Sequence, residues 1–164
     1  MPASHRINLA RERFKFSCAH MTVFPDGRKE HLHGHNFYLG LSLELTNASL
    51  ADMVDFGPLK AAATELCLQW RESTLLARDC PQFDILRDDG EEFEFRLCGK
   101  RYLLPREDVR LLPVENISVE CLAAHACSVL CERLAELISK PSVVGLEVTV
   151  SESPGQGASC YRAL

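Results

Sequence analysis

No apolar run in the 164-residue chain approaches the roughly 20 residues that a helix needs to cross a bilayer. The opening stretch, Met1 to Arg13, also lacks the basic, apolar and small-residue order of a secretory signal, so a soluble, cytoplasmic protein without a membrane partner is expected. Positive charge is scarce. Eighteen Lys and Arg stand against 23 Asp and Glu, a net charge of -5, which gives no electrostatic footprint for a phosphate backbone and argues against nucleic acid as a partner. No C-x-x-C pair occurs among the eight cysteines. Cys67, Cys121, Cys127 and Cys131 fall inside helix-like patterns, so they read as reduced, buried, small apolar residues rather than bridges or a redox motif. H-E-x-x-H, a nucleophile elbow and a P-loop are absent, which weakens any reading as an unrelated hydrolase or nucleotide enzyme. There is no internal repeat and no low-complexity tract.

What is present fits one domain over residues 1–164, since a core of this size can bury about two-thirds of the unfolded surface. Arg6 to His20 alternates loosely, with Phe14 and Phe16 on one parity, and predicts a first strand. The turn-rich segment Phe24 to Arg28 leads into His31 to Thr46, where Leu39, Leu41, Leu43 and Leu45 alternate, and the two strands are expected to pair antiparallel. Pro58 to Arg71 predicts a helix with Leu59, Ala62, Leu66 and Trp70 on one face. Ser118 to Ser139 predicts a second, stopped by Lys140-Pro141. Between them, E-F-E-F-R-L, Cys98-Gly99-Lys100 and R-Y-L-L-P read as a small β-hairpin inserted over about 79–113. Val143 to Ser151 and a short strand ending at Leu164 close the chain. Strands and helices that do not strictly alternate point to an α+β fold.

Three of the six histidines, His31, His33 and His35, fall within five residues. Side chains two apart on a strand share a face, so His33 and His35 can aim at one point across Gly34. His20, at the end of the first strand, can join them to give three imidazoles with an open fourth position, the arrangement of catalytic zinc sites. His31 has the same parity, and spacing alone leaves open which pair binds. A solvated polar strand start is the ordinary alternative for such a run.

Five blocks occur in order: F-x-F-S-C-A-H, L-H-G-H-N-F, M-V-D-F-G-P-L-K, E-N-I-S-V-E and V-T-V-S-E-S. They resemble segments of the 6-pyruvoyl-tetrahydropterin synthase / 6-carboxytetrahydropterin synthase family, over nearly the whole chain except the insertion. The resemblance implies the tunnelling fold, ββααββ with an antiparallel sheet and two helices on one face. It also implies assembly through edge strands into a barrel-like homo-hexamer with intersubunit active sites. It assigns Zn²⁺ to His20, His33 and His35, leaving His31 a neighbour. It further assigns a pterin anchor to Glu152, whose carboxylate can accept two parallel hydrogen bonds from the 2-amino group and N3–H of the ring. Ser118 and Glu120 match residues lining the same pocket, and they also suit an N-cap and first-turn acid of the second helix. Asp55 and Asn116 read as turn and cap residues.

The family's cysteine base before H-G-H and its Asp-His pair after the first helix have no counterpart: Lys29 stands four before His33, and the L-D-H segment falls on Trp70-Arg71-Glu72. Lys29, Glu72 and Arg71 are therefore the expected catalytic replacements, against the plainer view that they are solvated charges. One relative uses glutamate in place of the cysteine for an aldolase-like cleavage, which brings Glu30 into view one position away. The expected function is a zinc-dependent lyase-type enzyme on a dihydropterin such as 7,8-dihydroneopterin triphosphate, in a pterin or 7-deazapurine (queuosine) route. The alternative is a catalytically silent zinc- and pterin-binding homologue with a sensing or scaffolding role.

Overall fold

The computed structural model describes residues 5–164, and the first four residues of the expected 1–164 domain lie outside the described residues. Strand β1 (His5–His20) pairs antiparallel with β2 (His33–Leu45), as the alternation predicts. After helix α1 (Phe56–Trp70) come β3 (Ser73–Ala77), β4 (Phe83–Asp88), β5 (Glu92–Leu97), β6 (Lys100–Pro105) and β7 (Val109–Leu112). Helix α2 (Val119–Arg133) and a short α3 (Ala135–Ile138) precede β8 (Val143–Ser153) and β9 (Gln156–Ala163).

The main sheet runs β7-β3-β1-β2-β8-β9. Its four central and late strands are antiparallel, but β3 and β7 extend it in parallel, so the sheet is mixed rather than purely antiparallel. Both added strands are too short for alternation to reveal them, and every residue of β3 is buried. The inserted hairpin forms as β5 and β6 around a two-residue turn. Cys98 and Gly99 both have positive φ, the geometry of a type I′ turn. A third strand, β4, completes a separate sheet β4-β5-β6. That sheet has its own aromatic core, with Phe93 and Phe95 fully buried and Phe95 stacked on Tyr102 at 5.0 Å.

The single helix expected over Ser118 to Ser139 is instead broken at Leu134, which leaves helical geometry and re-aims the last turn so that Leu137 stays buried. Asp55 caps α1 by accepting from the Gly57 amide at 2.8 Å, and Ser118 caps α2 by accepting from the Cys121 amide. Helix α1 lies on β1, and α2 lies on β8 and β9. The core is the inward parity of the sheet, Phe37, Leu39, Leu41, Leu43 and Leu45 on β2 with Leu146, Val148 and Val150 on β8. Phe16 stacks on Phe37 at 5.3 Å and meets the edge of Trp70, which in turn stacks on His125 of α2. All eight cysteines are free, as expected.

One irregularity decides what the first strand presents. Between Ala10, opposite Gly40, and Lys15, opposite Tyr38, β1 advances five residues while β2 advances two. Three extra residues are an odd number, so the bulge exchanges faces: Leu9 points inward before it, and Phe14, Phe16, Cys18 and His20 point inward after it. Phe37 sits where this core meets the histidines, so Phe37→Ala should cost about 3–5 kcal/mol, read as a lower urea midpoint at an unchanged m-value.

Candidate metal centre

The β1–β2 register sets His20 opposite His33, with His35 two residues along the same face. The three ring centroids lie 4.6, 4.8 and 5.4 Å apart, and one ligand nitrogen from each ring falls within 4.8 Å of the others. His33 Nε2 and His35 Nε2 are 3.1 Å apart. Metal–nitrogen bonds of about 2.0–2.1 Å at a tetrahedral centre put ligand nitrogens about 3.3 Å apart, so the spacing fits. A Cβ at Gly34, on the opposite face, would meet the Cys18 carbonyl oxygen at 3.3 Å, so the glycine keeps β1 and β2 close beside the histidines.

The other ring nitrogens are already committed. His20 Nδ1 lies 3.2 Å from the Ile117 carbonyl and His33 Nδ1 2.7 Å from the His31 carbonyl, partners that hold a proton on Nδ1 and leave the Nε2 lone pairs free to ligate. His20 Nε2 is buried without a hydrogen-bond partner, a costly state for a polar atom and the expected one for an atom meant to ligate. Burial, reinforced by the neighbouring His33, holds His20 below the usual histidine value of 6.5 despite its bond to Ile117, which favours the neutral ring that ligation requires. Phe37 packs against both His20 and His35, closing the inner side with an apolar ring. The donor set therefore suits a first-row divalent ion. His31 contributes its carbonyl, not its ring. Cys18 stands opposite His35 in the register, and burial pushes its thiol up to about 12.

The segment after His20 is tied to the start of α2. Asn116 accepts from the Val23 amide at 3.0 Å and donates to the Val23 carbonyl at 2.9 Å, taking the place of a strand partner. Glu30 follows from this arrangement: its Oε2 accepts from the Thr22 amide at 3.2 Å and sits 3.8 Å from His33 Nε2. Partial burial works to raise its carboxyl, but hydrogen bonding from Thr22 and the charges of His33 and His20 outweigh that and hold it below the usual range. Spacing alone places Glu30 one residue out of phase, and the loop absorbs that offset. The sequence signal is the E-x-x-H spacing from Glu30 to His33.

The other expected residues are placed differently. Lys29 Nζ donates to the Glu30 carbonyl at 3.0 Å and lies 5.1 Å from the centre of the Tyr102 ring. Arg71 and Glu72 pair with each other at the end of α1. Glu72 borders a cleft that it shares with Ser17, Cys18, Gly34, His35 and Asn36. Ser118 caps α2 and its hydroxyl also bonds Glu120, holding that carboxyl low, while Glu152 accepts from Gln156 in the β8–β9 hairpin. Ser118 adjoins the Ile117 carbonyl that orients His20.

Residues 9–163 match the sequence profile described as 6-pyruvoyl tetrahydropterin synthase. The chain belongs to this family. A Methanocaldococcus jannaschii protein provisionally named 6-carboxy-5,6,7,8-tetrahydropterin synthase is 32% identical over 150 residues, 90% of this chain and 89% of that protein. The crystal structure of Plasmodium vivax 6-pyruvoyl tetrahydropterin synthase superposes with a TM-score of 0.89 at 28% identity, covering 99% of both chains. Two further structures of the P. vivax enzyme, with the same TM-score and coverage at 27% identity, carry cysteine or alanine in place of a glutamate described as its catalytic residue. The tunnelling fold expected from the sequence is borne out, and membership of the 6-pyruvoyl tetrahydropterin synthase family gives the chain a function of the pterin-synthase kind. Among the described residues no helix is long and apolar enough to cross a membrane.

Replacing His33 by alanine should remove stoichiometric zinc, checked by elemental analysis of protein reconstituted with zinc and desalted. In metal-free protein the folded His20 value lies below the unfolded one, so its contribution to stability is complete above about pH 6.5 and lost as pH falls through the folded value. Urea midpoints measured from pH 8 to pH 5 should show that fall, and His20→Gln should flatten it.

Proposed function

We propose that the protein is a zinc-dependent lyase-type enzyme acting on a dihydropterin such as 7,8-dihydroneopterin triphosphate, in a pterin or 7-deazapurine (queuosine) route. The observation that carries this reading is the Glu30 carboxylate 3.8 Å from His33 Nε2, beside three imidazoles that each bring a ring nitrogen within 4.8 Å of the others. His20, His33 and His35 would hold the ion and leave a coordination position toward substrate. When bound, Zn²⁺ polarises a side-chain hydroxyl or carbonyl of the pterin and makes its proton easier to remove.

Glu30 is the proton acceptor in this reading. Held below the usual carboxylate range, it is ionised at neutral pH and can take a proton from a side-chain hydroxyl or the adjoining carbon, the step with which carbon–oxygen or carbon–carbon cleavage begins. The catalytic glutamate of the P. vivax enzyme supports the choice of residue type. Lys29, its chain neighbour, is close enough to place charge beside that carboxylate's backbone. The Thr22 amide and the Phe37 ring fix the geometry on either side. Glu152 would anchor the ring through its 2-amino group and N3–H, with Ser118 and Glu120 lining the same pocket.

In a homo-hexamer assembled on edge strands such as β9, Glu152 would reach the site from an adjacent copy, while Glu72 shares a cleft with His35 of its own chain. The left-handed φ of 56° at Glu72, uncommon for a residue with a side chain, and its exposed carboxylate support a functional role for it.

Zinc-loaded protein incubated with 7,8-dihydroneopterin triphosphate should release triphosphate or an aldehyde, and Glu30→Gln should lower kcat by about 10²–10⁴ with zinc content unchanged. No turnover, together with tight pterin binding abolished by Glu152→Ala, would instead establish the silent pterin-binding homologue. If Lys29→Ala and Glu72→Ala both leave kcat intact, neither takes part in proton transfer.

A further inference from the structure

A cleft lies where α1, α2 and β7 meet, and none of its lining residues is a candidate metal ligand or pterin contact. Its volume is about 400 Å³, within the range of small-molecule sites. Leu66 and Trp70 of α1, Val129 of α2 and Leu111 of β7 give it apolar walls, and no carboxylate lines it. The rings of Trp70 and His125 stack at 5.7 Å with 12° between their planes, so an aromatic pair already crosses the seam between the helices. Burial, opposed by the charge of Glu132, holds His125 below the usual histidine value. That ring is therefore uncharged at neutral pH, and the positive charge of the cleft belongs to two arginines, Arg110 of β7 and Arg133 of α2.

Neither arginine is used up by the protein. The hydrogen bonds of Arg110 both run through Nη1, to the carbonyls of Glu107 at 3.4 Å and Val109 at 3.1 Å, and among the described residues no carboxylate pairs with it. Arg133 donates from Nη2 to Gln69 Oε1 at 2.6 Å, but its Nη1 is buried without a hydrogen-bond partner. Glu65, the carboxylate beside Nη1, is largely exposed and stands 3.9 Å away, beyond hydrogen-bonding distance. A buried, charged N–H with no bond is costly, and the same state at His20 Nε2 marks an atom suited to a ligand. Guanidinium groups match the paired oxygens of a carboxylate, while apolar walls on the remaining sides are wrong for a heavily hydrated polyanion.

We propose that this cleft binds a small aromatic monocarboxylate, its rings against the apolar walls and its carboxylate on Arg110 and Arg133. The site is independent of the dihydropterin reading and stands if that reading fails.

Isothermal titration of the zinc-loaded protein with 2-naphthoate and with 2-naphthalenemethanol, which has the same rings and no charge, tests it. The acid should bind once per chain and at least about tenfold more tightly than the alcohol. Arg110→Gln/Arg133→Gln should bring the two within about twofold. Should that variant lose thermal stability, Arg110→Gln alone, at an exposed position, should still remove most of the preference. Val129→Trp should abolish binding of both by filling the cleft, and metal-free protein should bind the acid as tightly as zinc-loaded protein does. An acid bound no better than the alcohol, a preference kept in a folded arginine variant, or acid binding that survives Val129→Trp overturns the site. Binding that vanishes with the metal is ligation of zinc and overturns it as well.

Discussion

The antiparallel register between β1 and β2, with its three-residue bulge, is the constraint on which the rest of the structure depends. A strand offers only two faces, and a regular β1 would send His20 to the same side as Ser17 does now, away from β2's inward histidines. The odd insertion reverses that choice after Ala10 while keeping Leu9 in the core. Burial of Phe14 and Phe16 against Phe37 then holds the shifted register, since slipping β1 by one residue would turn Phe14 and Phe16 toward solvent. Hydrophobic packing thus fixes the positions of polar nitrogens whose convergence is unfavourable by itself.

A second layer orients what the register positions. The carbonyls of Ile117 and His31 come from a loop before α2 and a loop before β2, yet both face the Nδ1 atoms of ligand candidates. Asn116 and Thr22 brace the same junction, so the start of α2, the end of β1 and the Glu30 loop form one hydrogen-bonded unit. A carboxylate and three imidazole rings share that unit, while Arg28, Lys29, Lys100 and Arg101 line a separate cleft beside it.

Much of this was legible in the sequence because it depends on period-two patterning. The alternation of His33, His35 and the leucines of β2 placed two imidazoles and the core on one face. His20 could be placed from its position at the end of the first strand, in phase with Phe14 and Phe16, whereas spacing left His31 open and only the family resemblance set it aside. The strands β3 and β7 left no readable pattern because they are only five and four residues long, and β3 is buried on both faces. The inserted hairpin was visible in Cys98-Gly99, whereas β4 was not, its side chains being mostly exposed. Glu30 escaped for a physical reason of its own: it sits in a loop, where counting residues says little about direction, and only its bond to the Thr22 amide turns it to the imidazoles.

The chain has one tryptophan, and its location links two elements of the site's scaffold. Trp70 meets Phe16 of β1 edge-on at 5.2 Å and lies flat against His125 of α2 at 5.7 Å. It therefore touches both the strand that ends in His20 and the helix whose leading loop orients that ring. Its emission is a native optical gauge of the seam between strand and helix, quenched or shifted as the imidazole stacked on it changes charge or distance, with no label introduced.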